Sequence, residues 1–351
     1  MRLISAICFV LVLFSCKKDE VMPCEDTSAL SNGMVVLCEG LFQQNNSSIS
    51  FIDFNNGAVD NSFFANRVGR QLGDTGNDMQ KYGGKIYVVV NISSTIEVLD
   101  ASTFTSIEQI SMINGGTSKQ PRSLYFHNGN VYVTCYDGFV DVIDTTSLNV
   151  IQRIAVGTNP EGLTVSGNKL YVSNSGGLNA PVMDSTVSVI DLTTHQEIQK
   201  ITVGLNPGPM ITDQAGDVYV IARGNYSSIP SRMVRIDATT DQVAEQFSFD
   251  ASGVTHFNNK FLVSYYDYST SQNTVGLFDP ANEVMENPSF MGLADVTTLY
   301  NVQYNVGRDQ IFVSDAMNFT NTGYVRVYSN AGVYSHSYHV GLNPSKMVFY
   351  D

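Results

Sequence analysis

The chain has 351 residues, of which 43% are hydrophobic and 15% charged. Apolar and aromatic content is ample for a core, which excludes intrinsic disorder. A net charge of −14 excludes the basic face with which a nucleic-acid binder displaces counterions. Glycine (28 residues) and tyrosine (18 residues), together with abundant Val, Ile and Thr, point to a β-rich chain with many tight turns.

Residues 1–15 read as a secretory leader. Arg2 precedes an apolar run from Leu3 to Phe14 that is too short to span a bilayer comfortably. The run ends in Leu13-Phe14-Ser15-Cys16, which resembles a bacterial lipobox, and the resemblance implies lipidation at Cys16. Acyl chains, at roughly 0.8 kcal/mol per buried CH₂, would then hold the protein on a membrane. Lys17-Lys18-Asp19-Glu20 resembles the surface-export signal of Bacteroidetes lipoproteins, which implies a surface-exposed outer-membrane lipoprotein. Residues 16–33 read as the lipidated cysteine and a flexible tether. With Cys8 lost in the leader and Cys16 acylated, three cysteines remain, so at least one is unpaired. A Cys24–Cys38 bridge stays open as an alternative. Cys38 and Cys135 fall in strand-like runs, where a free thiol behaves as a small hydrophobe.

From residue 34 to 351 the chain is a sevenfold repeat. A short apolar strand recurs as Val35-Val36-Leu37, Ile86-Tyr87-Val88, Val131-Tyr132-Val133, Leu170-Tyr171-Val172, Val218-Tyr219-Val220, Phe261-Leu262-Val263 and Ile311-Phe312-Val313. After each comes an alternating strand. Six of these end in Asp, at Asp53, Asp100, Asp144, Asp191, Asp237 and Asp279, and the seventh ends in Ser329. Asp and Ser at a strand end bond the backbone of the following turn, so these residues are expected to be structural. Val156-Gly157-Thr158-Asn159-Pro160, Val203-Gly204-Leu205-Asn206-Pro207 and Val340-Gly341-Leu342-Asn343-Pro344 mark breaks between strands. About four strands in roughly 46 residues is the size of a propeller blade. The expected fold is all-β, a seven-bladed β-propeller. Its C-terminal strand, Ser345 to Tyr350, closes the first blade and hides both sheet edges. No long helix is expected.

Topology selects a functional face. With the strands of a blade lettered A to D outward from the axis, the B-to-C loops and the blade-to-blade connections share one face. The short A-to-B hairpins occupy the other. The B-to-C loops are the long ones, and long loops on a rigid scaffold usually bind. They carry Phe42, Tyr226, Tyr266, Tyr268 and Phe319 among many Asn, Ser, Thr and Gly, which suits a large, mostly neutral ligand rich in amides or hydroxyls. The candidate ligand-binding set is Arg70 and Asp74 on the long connection; Arg122 after Pro121; Glu161 after Asn159-Pro160; and Asn174, Arg223, Asn225, Tyr226, Tyr266, Tyr268, Asp315 and Phe319 on the loops. Enzyme signatures are weak. No HExxH, GxSxG, P-loop, EF-hand or CxxC run is present, so no catalytic residue, resident cofactor or metal is expected.

Leu170-Tyr171-Val172-Ser173-Asn174 and the Val-Gly-x-Asn-Pro repeats resemble the YncE-like, YVTN-type propellers. Val36-Leu37-Cys38-Glu39-Gly40, Arg70-Gln71-Leu72-Gly73-Asp74, Pro121-Arg122 and Arg223-Gly224-Asn225-Tyr226 more closely resemble the DUF5074 branch of Bacteroidetes surface lipoproteins, with Cys38 where Asn is expected. The best-known type in that branch, BtuG, captures cobalamin (vitamin B12) and caps a TonB-dependent transporter of the BtuB type. The resemblance therefore implies a non-enzymatic surface protein that binds cobalamin or a related corrinoid as a transported ligand. Its implied partners are a TonB-dependent outer-membrane transporter and, through the lipid anchor, the membrane. It also implies that Arg122 or Arg223 meets the corrinoid phosphate. The alternative expectation is a non-catalytic scaffold for protein docking or glycan binding at the cell surface.

Overall fold

The computed structural model describes residues 28–267 and 272–350. The expected leader, Cys16, Cys24 and Tyr268 lie outside them. Seven four-stranded antiparallel sheets make seven blades around one axis. The innermost strands are Pro344–Tyr350 (blade 1), Gly76–Tyr82, Pro121–His127, Pro160–Ser166, Pro207–Thr212, Ala251–Phe257 and Leu299–Asn305 (blade 7). Each touches the next, and the ring closes between blades 7 and 1. The closure is the one expected. Pro344–Tyr350 pairs antiparallel with Gly33–Cys38, so the last strand of the chain is the innermost strand of the first blade.

The second strand of each blade is sandwiched between neighbouring blades and carries a central apolar run, as a strand covered on both faces does. Lys85–Val90 is buried beyond its first residue, and Gly33–Cys38 is buried over its whole length. The core is accordingly not one mass. Seven apolar clusters lie one between each pair of adjacent blades. The recurring tyrosine of this strand fills the cluster, and in blades 3 to 5 its hydroxyl reaches the next blade. Tyr132 Oη lies 3.1 Å from His195 Nε2, Tyr171 donates to Asp241 at 2.6 Å, and Tyr219 donates to the Pro280 carbonyl at 3.2 Å. The outermost strands, such as Ser106–Ser111, face water.

The strand-end aspartates are structural, as their position predicts. Asp144 accepts from the Thr146 and Ser147 amides, Asp191 from Thr193 and Thr194, and Asp237 from Thr239 and Thr240. These turn amides hold the carboxyls of all three below the usual carboxylate range.

Three local features differ from the sequence reading. A short helix, Phe63–Val68, sits in the connection between blades 1 and 2 because Phe63 and Phe64 bury into the cluster there. Leu30, placed in the tether by sequence, also packs against that cluster. In blade 6 both ends of the expected long loop from Tyr266 to Asn273 are strand. Tyr266 pairs with Asn273 and Asp267 with Gln272, leaving only residues 268–271 between the two strands.

Candidate ligand-binding face

All seven innermost strands carry the same irregularity. One extra residue is inserted after the first strand residue, a β-bulge that breaks the register with the second strand. A bulge bends the strand and re-aims a side chain. Here the second residue of each innermost strand stands at the bulge: Asn77, Arg122, Glu161, Gly208, Ser252, Tyr300 and Ser345. Four of these follow a proline (Pro121, Pro160, Pro207 and Pro344). Proline fits the first position of a strand, where its missing N–H is not needed by the ladder. Small hydroxyls of the adjoining strand hold the bulges in place. Thr134 Oγ1 accepts the Ser123 amide at 3.0 Å and donates to the Glu161 carbonyl of the next blade at 2.8 Å. Ser173 repeats this one blade on, accepting the Gly162 amide at 2.9 Å and donating to the Gly208 carbonyl at 2.8 Å.

The large residues of this ring form one connected polar girdle. Arg122 donates to Asn77 Oδ1 at 2.6 Å and to Glu161 Oε1 at 2.8 Å. Its guanidinium also stacks 4.7 Å from the Tyr136 ring, and Tyr136 donates to the other Glu161 oxygen. Arg223 stands 3.9 Å from Glu161 Oε1. On the other side Asn77 donates to Glu39 at 2.9 Å, and Tyr300 donates to the second oxygen of Glu39. Burial alone would raise the Glu161 carboxyl. Arg122 and Arg223, with hydrogen bonds from Arg122 and Tyr136, outweigh it and bring the pKa down to about 2. Glu39 goes the other way: burial raises it, and the nearby Glu161 charge adds to the rise.

Two concavities on the long-loop face flank the girdle. One, of about 690 Å³ over blades 5 and 6, is lined by Arg223, Tyr226, Ile229, Asp250, Tyr265 and Tyr266. The other, of about 590 Å³ over blades 7 to 3, is lined by Glu39, Phe42, Arg122, Tyr136, Tyr300 and Phe319. Tyr226 and Phe319 both hold left-handed backbone, at φ 56° and 64°. The largest cavity, about 1070 Å³, is the axial channel. It is lined by the innermost strands and their A-to-B turns, with Asp78, Lys169, His256 and Lys346 among its charged and titratable residues, and it follows from ring closure. The face concavities, with their aromatic walls and convergent charges, have the character of a ligand site.

The structure thus brings Arg122, Glu161, Arg223, Tyr226, Tyr266 and Phe319 to one region. It places the other candidates differently. Asp74 is buried and accepts the Gln43 and Asn45 amides, fastening the 39–48 loop. Asn174 is buried against Thr186, Ser188 and the Gly157 amide. Asp315 is buried beneath the Thr297, Thr298 and Met317 amides and paired with Arg326 at 2.7 Å. Asn225 folds its own loop by accepting from the Ser227 and Ile229 amides. Arg70 reaches outward to Glu97 on the third strand of blade 2. Sequence reading passed over Asn77, Tyr136 and Tyr300. The signal for Asn77 and Tyr300 was present as their repeat register, one residue into each innermost strand. Among the described residues no cluster of His, Cys, Asp and Glu could hold a metal ion, and no helix is long and apolar enough to cross a membrane.

Comparison with solved structures returns propellers. A quinonprotein alcohol dehydrogenase-like protein from Bacteroides thetaiotaomicron is 15% identical, with a TM-score of 0.68 over 92% of this chain and 79% of that one. Hydrazine synthase from Kuenenia stuttgartiensis is 16% identical, with a TM-score of 0.55 over 70% of this chain and 73% of that one. The dihydro-heme d1 dehydrogenase NirN, in complex with DHE, is 12% identical, with a TM-score of 0.57 over 96% of this chain and 77% of that one. At these identities the likeness is one of fold. No functionally curated protein matches the chain. The family model DUF5074, a domain of unknown function, matches residues 32–256, more than half of the sequence, with blades 2 to 5 complete and three strands of blade 1, and the chain belongs to that family.

Proposed function

We propose that this chain is a non-catalytic capture protein that binds cobalamin or a related corrinoid on its long-loop face and passes it to a TonB-dependent outer-membrane transporter. The lipobox at Cys16 supports a lipid-anchored, surface-exposed location for it. The observation that carries the reading is the pair of aromatic-walled concavities flanking one ion-paired girdle on a single face. Each is of a size for a drug-like ligand, and the pair suits a larger one. Tyrosine and asparagine present contact area and hydrogen bonds to an amide-studded ring at low entropic cost. Calorimetric titration with cyanocobalamin of the chain lacking its leader and anchor tests this, with comigration of the red chromophore in gel filtration as companion. One-to-one binding is expected. No heat and no comigration would remove the corrinoid and favour a protein-docking role. That second reading draws on the apolar side chains the loops of this face expose, Phe42 at 64%, Leu178 at 63% and Val182 at 79%.

A further inference from the structure

The two arginines of the girdle are not equivalent. Arg122 is engaged: its two terminal nitrogens donate to Asn77 and Glu161. The Arg223 guanidinium donates no hydrogen bond among the described residues, and its nearest charge is Glu161 Oε1 at 3.9 Å. Its side chain is nonetheless three-quarters buried, with 25% exposed, at the point where the 690 Å³ concavity meets the channel. The chain makes room for it there. Gly208 is the bulge residue of blade 5, and a Cβ at that position would stand 2.4 Å from Arg223 Cζ. Every other blade has a side chain at this place in the ring.

An arginine fork offers five donors in a plane and matches a two-oxygen anion. The surroundings restrict which anion. Glu161 and Asp250 both line the approach, so a doubly charged group would meet two carboxylates with one cation free of hydrogen bonds to offset them. A singly charged oxyanion would satisfy the fork with about half that repulsion. The walls around it are Tyr226, Ile229, Pro230, Tyr265, Tyr266 and Leu299. We propose that the concavity over blades 5 and 6 is a recognition subsite for a singly charged oxyanion, phosphodiester or carboxylate, borne on an aromatic or apolar body. In it Arg223 is the anion-binding residue and Gly208 the residue that positions it. The subsite deepens the capture reading and rests on it only for the remainder of the ligand.

The test uses the same leaderless chain, whose residues 28–350 contain all seven blades and their closure. Diphenyl phosphate and diphenylacetate are titrated calorimetrically as phosphodiester and carboxylate probes, with 1-naphthyl phosphate as a dianion of similar bulk. At least one monoanion is expected to bind and the dianion to bind more weakly, and the stronger monoanion identifies the oxyanion. Arg223→Gln should weaken the monoanion roughly tenfold or more, the scale of a lost charge-assisted bond. Arg223→Lys should restore part of the loss. Gly208→Ala, which leaves every charge in place, should weaken it as well, with melting curves of all variants close to that of the parent. Unchanged affinity in Arg223→Gln, equal binding of the dianion, or no binding of either monoanion would overturn the proposal. Cyanocobalamin run on the same variants separates the two readings. Corrinoid binding indifferent to Arg223 overturns the subsite and leaves capture standing. Arg223-dependent monoanion binding without corrinoid binding does the reverse.

Discussion

Glu161 is the residue on which the girdle turns, because it accepts from Arg122 and Tyr136 and stands 3.9 Å from a second guanidinium, that of Arg223. Its folded pKa, about 2, lies below the ordinary carboxylate value of 4.5, so the folded state favours the ionised form. A group depressed in this way contributes stability that is fully present above about pH 4.5 and is lost as pH falls toward 2. The contribution is on the order of 3 kcal/mol. Glu161→Gln is therefore expected to be destabilised by about that amount at pH 7, and to show a flatter stability profile between pH 5 and 2 than the parent; urea titrations across that range measure both. Parallel profiles would mean the ion pairs contribute little net stability. Legibility at this scale was uneven. Glu161 could be picked out after the Asn159-Pro160 break, Arg122 by the Pro121-Arg122 pair, and Tyr226 and Phe319 by their place in long loops. Asp74, Asn174 and Asp315 resemble them in sequence, yet their side chains hold backbone amides. Whether a loop carboxylate faces solvent or its own loop is a matter of which way the backbone turns, and a string of residues does not record it.

At the scale of the element, the informative unit is the bulged innermost strand and its hydroxyl clasp. Ser173 is fully buried, and its hydroxyl joins the bulge amide of its own blade to the bulge carbonyl of the next. Ser173→Ala leaves both groups unsatisfied and is expected to cost about 1–3 kcal/mol. Because the clasp sets where Glu161 and Gly208 point, ligand affinity should fall with stability. A melting curve shifted down with affinity unchanged would show that the bulge holds its shape without the clasp. The second strands and their terminal aspartates were legible because apolar runs and strand-end Asp have direct physical meanings. The bulge was not, since an inserted residue is visible only against the partner strand that skips it.

At the scale of the molecule, closure is made by a single strand. Pro344–Tyr350 completes blade 1 and supplies Ser345 to the ring and Met347 to the cluster between blades 7 and 1. Deleting residues 344–351 exposes the edge of Gly33–Cys38 and opens that cluster, both routes to association through unpaired strands. The truncated chain is expected to lose its single cooperative melt and to elute as aggregate in gel filtration. A monomer with an unchanged melt would mean that the ring holds without its clasp.

The sequence by itself determined the number of blades, the order of strands, the closing strand and the face that carries the long loops. Each of these follows from local period, from turn chemistry and from the need to bury both faces of the second strand, and such needs repeat wherever the residues repeat. Only the tertiary structure decided what happens at the axis. There, seven bulges from strands far apart in the chain bring Glu39, Asn77, Arg122, Glu161 and Tyr300 into contact, and Gly208 makes room for Arg223. The repeat sets these positions equivalent, but the chemistry lies in how unlike residues at equivalent positions meet once the ring has closed.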